Sequence, residues 1–275
     1  SLQPIINNSD PFNLFVGNSA LGQSFNHSLN VYLHDYQTIK GRYFSCQFGA
    51  DLPRNAFVTS TWVDSNAIRR TMTVNANGNY SVDGSVSYQL RTKKIPLSFS
   101  WELSGVNRKS ITFVNNQKIE TLQSSATAEM SVGMYTETVS FSIAYSLNYN
   151  WSVNSLNKNK ITSYVIQTPN YFIDINLPGN FVIYHSGNFN IRPVSKEFTN
   201  NRNVYYLVAG IGKYFGKQRD FELSFLMNDL LNQNKGFTRN ISTNLVSEQI
   251  YTQLSRYWLV GLKWNFASKG VKKDE

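Results

Sequence analysis

Apolar and small polar side chains alternate along most of this chain. Between Val139 and Trp151, the residues Val139, Phe141, Ile143, Tyr145, Leu147, Tyr149 and Trp151 fall on one side of an extended strand, and Ser140, Ser142, Ala144, Ser146, Asn148 and Asn150 on the other. Leu97, Phe99, Trp101 and Leu103 repeat the pattern against Ser98, Ser100, Glu102 and Ser104. A long last strand sets Leu254, Trp258, Val260, Leu262, Trp264 and Phe266 opposite Gln253, Ser255, Gly261, Lys263 and Asn265. No segment keeps apolar residues at i, i+3, i+4 and i+7 for three turns, so helices are not expected. The periodicity predicts about eleven strands, near residues 25–36, 42–63, 79–91, 95–106, 119–132, 138–151, 161–175, 180–192, 203–215, 220–229 and 249–266. Pro53 has no N–H for a ladder and is expected to interrupt the second of these at a bulge or turn.

The connections alternate in character. Short turns fall near residues 91–95, 133–137, 177–180 and 216–219, and long polar segments near 64–78, 107–118, 153–160, 193–202 and 229–248. Short turns on one rim and long loops on the other are the signature of an antiparallel meander that spans an outer membrane. The predicted strands also exceed the roughly 5 to 6 residues usual in soluble sheets and suit a tilted bilayer span. The fold class expected is therefore all-β, an antiparallel up-and-down transmembrane barrel. About eleven strands leave two unpaired edges, which hydrocarbon does not tolerate, so further strands from the same precursor or a second chain are expected. At roughly 25 residues per strand and connection, a barrel of about 22 strands needs a similar N-terminal half.

Composition narrows the alternatives. With 275 residues, 14% aromatic and 16% charged, the chain is not of disordered type and is long enough for a large fold. No apolar run approaches the 18 or so residues of a spanning helix. A net charge of +9 raises nucleic acid as a partner, but the basic residues are scattered among Asn- and Ser-rich segments, and no nucleic-acid partner is expected. One cysteine, Cys46, excludes a disulfide framework and reads as a packing residue. The opening SLQPIINNSD carries no apolar signal segment, so a mature chain or an internal fragment is expected.

Several segments carry a family resemblance: DPFNLFVGN at Asp10 to Asn18, NDLLNQN at Asn228 to Asn234, FTRNIS at Phe237 to Ser242, and RYWLVGLKWNF at Arg256 to Phe266. Together they resemble the C-terminal barrel of Bacteroidetes-type TonB-dependent outer-membrane receptors. The resemblance implies a 22-stranded barrel with an N-terminal plug, an inner-membrane TonB-type energiser, and uptake of a nutrient in the outer membrane of a Gram-negative bacterium. On this reading residues 1–24 are an extracellular loop segment, 25–266 the C-terminal half of the barrel, and 267–275 a polar periplasmic tail. Phe266 would be the aromatic end of the last strand, and the nine residues after it depart from the usual termination on an aromatic.

Candidate chemistry is sparse. His27, His34 and His185 have no partner at metal spacing, and no metal, cofactor or enzymatic activity is expected. Glu102, Glu129, Asp174 and Glu222 fall on the polar faces, where they would line a lumen or be hydrated and ion-paired. Arg69, Arg70, Arg108, Lys109, Lys235 and Arg239, in the long loops, would suit an anionic ligand or lipopolysaccharide phosphates. Phe99, Trp101, Phe141, Tyr149, Trp151, Trp258, Trp264 and Phe266 are expected to face lipid, with aromatics such as Tyr205, Phe215 and Tyr257 near strand ends forming girdles. Partners expected are the N-terminal barrel half and plug, lipid, and a surface lipoprotein. Two other readings stand beside transport: a docking barrel in a secretion, motility or surface-assembly complex, and a soluble glycan-binding β-sandwich that buries the same apolar faces inward.

Overall fold

A computed structural model describes residues 6–7, 13–156, 161–194, 203–216, 219–241 and 246–264. Its strands are β1 (Ile6–Asn7), β2 (Asn13–Val16), β3 (Phe25–Gln37), β4 (Arg42–Arg54), β5 (Ala56–Val63), β6 (Arg69–Ala76), β7 (Tyr80–Arg91), β8 (Leu97–Val114), β9 (Gln117–Tyr135), β10 (Val139–Asn154), β11 (Thr162–Leu177), β12 (Phe181–Asn190), β13 (Val204–Phe215), β14 (Phe221–Asn228), β15 (Lys235–Ile241), β16 (Val246–Thr252) and β17 (Tyr257–Trp264). A single 3₁₀ turn at Thr38–Lys40 is the only helical element among the described residues. No helix there is long and apolar enough to cross a membrane.

The frame is an antiparallel meander in the order β3-β4-β7-β8-β9-β10-β11-β12-β13-β14-β17. Successive strands of this order run antiparallel, so the connections alternate between two rims. On one rim lie the tight turns at residues 38–41, 92–96, 136–138 and 178–180 and the connection from β13 to β14. Local chemistry closes them: at 136–138 the Thr136 hydroxyl donates to the Val139 carbonyl at 2.7 Å and accepts the Val139 N–H at 2.9 Å. Gly179 and Asn180 supply consecutive positive φ angles of 79° and 63° for the next turn. All the long connections lie on the opposite rim.

The two faces of this meander differ in chemistry. Cross-strand register aligns Val31, Phe48, Gly84, Gly105, Ala126 and Tyr149 in one row, and Ile175, Ile183, Ile211, Phe225 and Val260 in another, all on one face. That face is apolar and uncovered: Leu103 is 65% exposed, Ile143 52% and Val260 73%. The opposite face, from β4 to β10, is small and polar, and its hydroxyls and amides bond across strands. Ser45 meets Ser87 at 2.6 Å, Ser100 meets Ser131 at 2.5 Å, and the Asn148 amide donates to the Thr127 hydroxyl at 2.7 Å.

Most buried apolar side chains lie at the long-connection rim. Ala56, Val58, Ala76 and Ile111 form a cluster there, backed by Val74 and Phe113. It arises because Asn55, at φ 52°, turns the chain out of β4. β5 then pairs antiparallel with β6, and β8 beyond Lys109, where β7 has run out, takes β5 in parallel through Ser60↔Phe113 and Thr61↔Val114. β2 adds to β6, also in parallel.

Several expectations are corrected. Residues 42–63 are two strands, β4 and β5, and Pro53 stays inside β4 opposite Asn26, where pairing with β7 has already ended at Asp51↔Ser81. Residues 107–118 are the tip of a long β8–β9 hairpin, because Asn115 and Asn116 (φ 49° and 63°) make a two-residue turn between alternating strands. The segments 64–78 and 229–248 carry β6 and the β15–β16 hairpin, and 249–266 is split into β16 and β17. Residues 13–16, expected in a loop, form β2. The sheet, expected to be antiparallel throughout, is mixed, because β2–β6 and β5–β8 pair in parallel; the two unpaired edges expected of about eleven strands are there among the described residues, where β3 pairs only with β4 and β17 only with β14. The tail 267–275 and Phe266 lie outside the described residues.

Candidate functional site at the long-connection rim

The β15–β16 hairpin is tied to the rim by a buried acid. Asp229, at the end of β14 and with no exposed surface, adopts φ 54° and turns the chain. Its carboxylate accepts the backbone N–H of Gln233 at 2.9 Å and of Asn234 at 3.0 Å, a side chain doing the work of a turn carbonyl. The returning foot is fixed by Arg256, whose Nη2 donates to the Leu230 carbonyl at 2.5 Å and whose Nε donates to the Asp229 carbonyl at 3.4 Å. The Asn234 amide donates to the Leu254 carbonyl at 3.0 Å, joining the two feet.

Held this way, the hairpin borders a cleft with the ends of β12 and β13. The cleft, about 290 Å³, is lined by Asn188, Asn190, Arg192 and Tyr206 from the meander and by Asn234, Lys235, Phe237, Tyr251 and Gln253 from the hairpin and its feet. Asn188 and Tyr206 form a cross-strand pair one residue off the apolar-face pairs Gly187↔Leu207 and Phe189↔Tyr205, so the cleft opens on the opposite, polar face. A second hollow of about 390 Å³ shares Val204, Lys235 and Phe237, which makes the space a groove. The Arg192 guanidinium lies 5.0 Å from the centre of the Phe237 ring, and its backbone N–H donates to Asn203 at 2.9 Å. Tyr206 donates to the Asn228 side-chain oxygen at 3.2 Å.

The six cations expected at the loops are distributed over three strands. Arg69 and Arg70 stand on β6, Arg108 and Lys109 on β8, and Lys235 on β15, exposed and lining the cleft. Arg239 pairs in register with Glu248 across the hairpin, and its side chain lies outside what is described. Arg70 bonds Asp64 at 2.8 Å and thereby holds that carboxyl below the usual carboxylate range. Lys109 and Lys118 bond Glu120 at 2.7 and 2.8 Å and hold it down to about 2. Arg192, which lies beside Pro193 and outside every expected cation pair, was missed, because only the β15–β16 hairpin brings Phe237 under it.

The four carboxylates all fall on the polar face. Glu102 and Glu129 are direct cross-strand partners and both are exposed. Glu222 accepts the Tyr184 hydroxyl at 2.5 Å, and Tyr184 is the cross-strand partner of Asp174. Of the eight aromatic residues expected to face lipid, seven stand on the apolar face of the sheet, and Phe266 lies outside the described residues. Phe99, Phe141 and Trp264 stand toward the short-turn rim, Tyr149, Trp151 and Trp258 toward the long-connection rim, and Trp101 between them, stacked on Tyr88 at 6.0 Å. Tyr257 is the exception: it pairs with Asn228 on the polar face, since neighbours in a strand cannot point the same way.

Among the described residues no three His, Cys, Asp or Glu gather to hold a metal ion. His34 meets the Tyr43 hydroxyl at 3.3 Å and His185 the Tyr171 hydroxyl at 3.0 Å. No family model matches the chain, and no curated protein matches it.

Proposed function

We propose that this chain is part of an outer-membrane β-barrel of the TonB-dependent receptor type, a non-enzymatic transporter that takes up a nutrient through a gated lumen. One observation carries the reading: an uncovered apolar face runs across all eleven meander strands while the opposite face is mostly polar and hydrogen-bonded. In water such a face would be covered by a second layer, as in a sandwich; in hydrocarbon it needs no cover. Its height fits. From Val139 to Trp151 is twelve residues, about 40 Å along the strand at 3.3 Å each, which at a tilt of about 35–45° gives roughly 28–32 Å of height, enough for the roughly 25 Å apolar band of outer-membrane barrels.

On this reading the short turns are periplasmic, the long connections extracellular, and the polar face lines the lumen. The uncovered edges of β3 and β17 are then the seams for the strands of an N-terminal half, from the same precursor or a second chain. A TonB-type energiser, a plug, lipopolysaccharide and a surface lipoprotein are the partners this implies. A docking barrel that moves no solute is the second reading. The separately cored β2–β6–β5–β8 extension, which shows Phe15 and Phe57 at 57% and 56% exposure, supports it.

The test is gel migration of the detergent-extracted protein with and without heating, with the intact mass of everything that comigrates. A heat-sensitive band containing a longer precursor or second chain is expected. A soluble, heat-insensitive monomer would overturn the membrane reading.

A further inference from the structure

We infer that Lys213, on the apolar face near the short-turn rim, holds the phosphodiester of a glycerophospholipid. The inference deepens the membrane reading and rests on it for the apolar face to meet lipid and for the short turns to be periplasmic.

Register isolates this lysine. Cross-strand pairs place it on the apolar face in the row Leu177, Phe181, Lys213, Leu223 and Leu262. Phe215, Phe221 and Trp264 form the next row toward the turns. An ammonium thus stands among leucines and aromatic rings. Its Nζ lies 4.0 Å from the centre of the Phe181 ring and 5.9 Å from that of Phe215. The ring faces attract the cation and fix its position, but they carry no net charge to balance it. Among the described residues no carboxylate comes within ion-pair distance of Lys213; the acid of the adjoining turn, Asp220, stands against Gly216 instead.

Position selects the ligand. Lys213 precedes the end of β13 at Phe215 by two residues, about 7 Å along the strand, so its long stem can carry the charge to the headgroup layer. Behind the ammonium lies uncovered hydrocarbon-like surface, with Leu223 45% and Leu262 74% exposed. The occupant must bring a negative charge and apolar chains together at one height. A glycerophospholipid does so: its phosphodiester accepts from the ammonium while its acyl chains cover the leucines. A free phosphate would leave the leucines bare, and lipopolysaccharide would meet the opposite rim on this reading.

The experiment uses the full-length protein extracted in detergent from membranes, and phosphatidylglycerol with a photoreactive diazirine on its headgroup. Peptide mass spectrometry locates the adducts, which are expected on the first residues of β12 and the last of β13. Unlabelled dioleoylphosphatidylglycerol should compete at least five-fold better than dioleoylglycerol, which lacks the phosphate. Lys213→Gln should cut the yield at these two segments five-fold or more and leave adducts elsewhere unchanged, and Lys213→Arg, which keeps the charge, should retain them. Equal competition by dioleoylglycerol or by soluble glycerol 3-phosphate, or an unchanged yield in Lys213→Gln, overturns the inference. Heat-modifiable migration of the same preparations keeps the two readings apart. A heat-modifiable protein whose adducts ignore Lys213 loses only the lipid site, whereas a soluble, heat-insensitive monomer overturns the membrane reading and the site with it.

Discussion

Arg256 reaches across the base of the β15–β16 hairpin and donates from Nε to the carbonyl of Asp229 at 3.4 Å, while the Asp229 carboxylate holds the N–H groups of Gln233 and Asn234. Both residues belong to the segments NDLLNQN and RYWLVGLKWNF, so their wording has a local physical role: they close the turn that carries the groove. Asp229→Ala removes the side-chain acceptor of the Gln233 and Asn234 N–H groups, each bond worth roughly 0.5–1.5 kcal/mol. The expected result is rapid proteolytic nicking within residues 229–256 while the meander stays protected, read by mass spectrometry of limited digests. Resistance equal to the wild type would show that Asp229 does not hold the hairpin.

A second prediction concerns pH. The ammonium groups of Lys109 and Lys118 lower the Glu120 carboxyl from 4.5 to about 2 at the base of the β8–β9 tip. A folded-state value below the unfolded one means the stabilisation is fully present above about pH 4.5 and is lost as pH falls toward 2. Amide exchange at Thr112–Glu120 should therefore be unchanged between pH 7 and 5 and should accelerate, beyond the intrinsic rate, only between about 4.5 and 2. Glu120→Gln should remove that step. The effect will be small, because the pair is solvated.

Much of the meander was legible because its signal is local. Alternation in Val139–Trp151 or Leu97–Leu103 fixes strand and face together, and the sorting of turns fixes the antiparallel order. The failures have different causes. Arg69–Ala76 and Lys235–Ile241 were read as loop because polar flanking residues masked a short alternation, Met72, Val74 and Ala76 against Thr71, Thr73 and Asn75 in the first and Phe237 and Ile241 on one face of the second. The Asn115–Asn116 pair was a hairpin signal in plain sight. β5 and β2, by contrast, pair in parallel with strands distant in sequence, and no short-range pattern encodes that.

For the candidate site the sequence supplied residue types and the structure supplied grouping. Lys235 was singled out as a loop cation, but its company is Arg192, Asn188 and Asn190 of β12, Tyr206 of β13 and Tyr251 of β16. Arg70 and Lys109 were singled out for the same reason, and each instead meets a carboxylate nearby in the chain, Asp64 in the β5–β6 connection or Glu120 on β9.

Gly210 offers a packing test. A methyl group there would stand 2.7 Å from the Phe225 carbonyl oxygen and against the Leu226 side chain, whereas at Gly105 the nearest atom is 3.5 Å away. Gly210→Ala should cost about 1–3 kcal/mol through overpacking, and Gly105→Ala should stay within about 0.5 kcal/mol. Urea unfolding of the two variants, side by side, reads the difference. Equal midpoints would mean that β14 can shift away from β13 at little cost.

The sharpest division between hydrocarbon and water comes from moving one charge between faces of the same strand. Ile143, on the apolar face between Val132 and Tyr171, and Ser146, on the polar face opposite Glu129, are three residues apart in β10. A lysine in place of Ile143 would stand near the middle of the apolar band, where the cost in an outer-membrane barrel is about 2–4 kcal/mol. In place of Ser146 it would face a carboxylate in a polar setting and change stability by about 0.5 kcal/mol or less. If the apolar face met water instead, Ile143→Lys would be as harmless as Ser146→Lys, since an exposed aliphatic loses little when a lysine replaces it. Urea unfolding of both variants in phospholipid vesicles should therefore separate them by about 2 kcal/mol or more. Coincident curves would remove the main support for a membrane-spanning sheet.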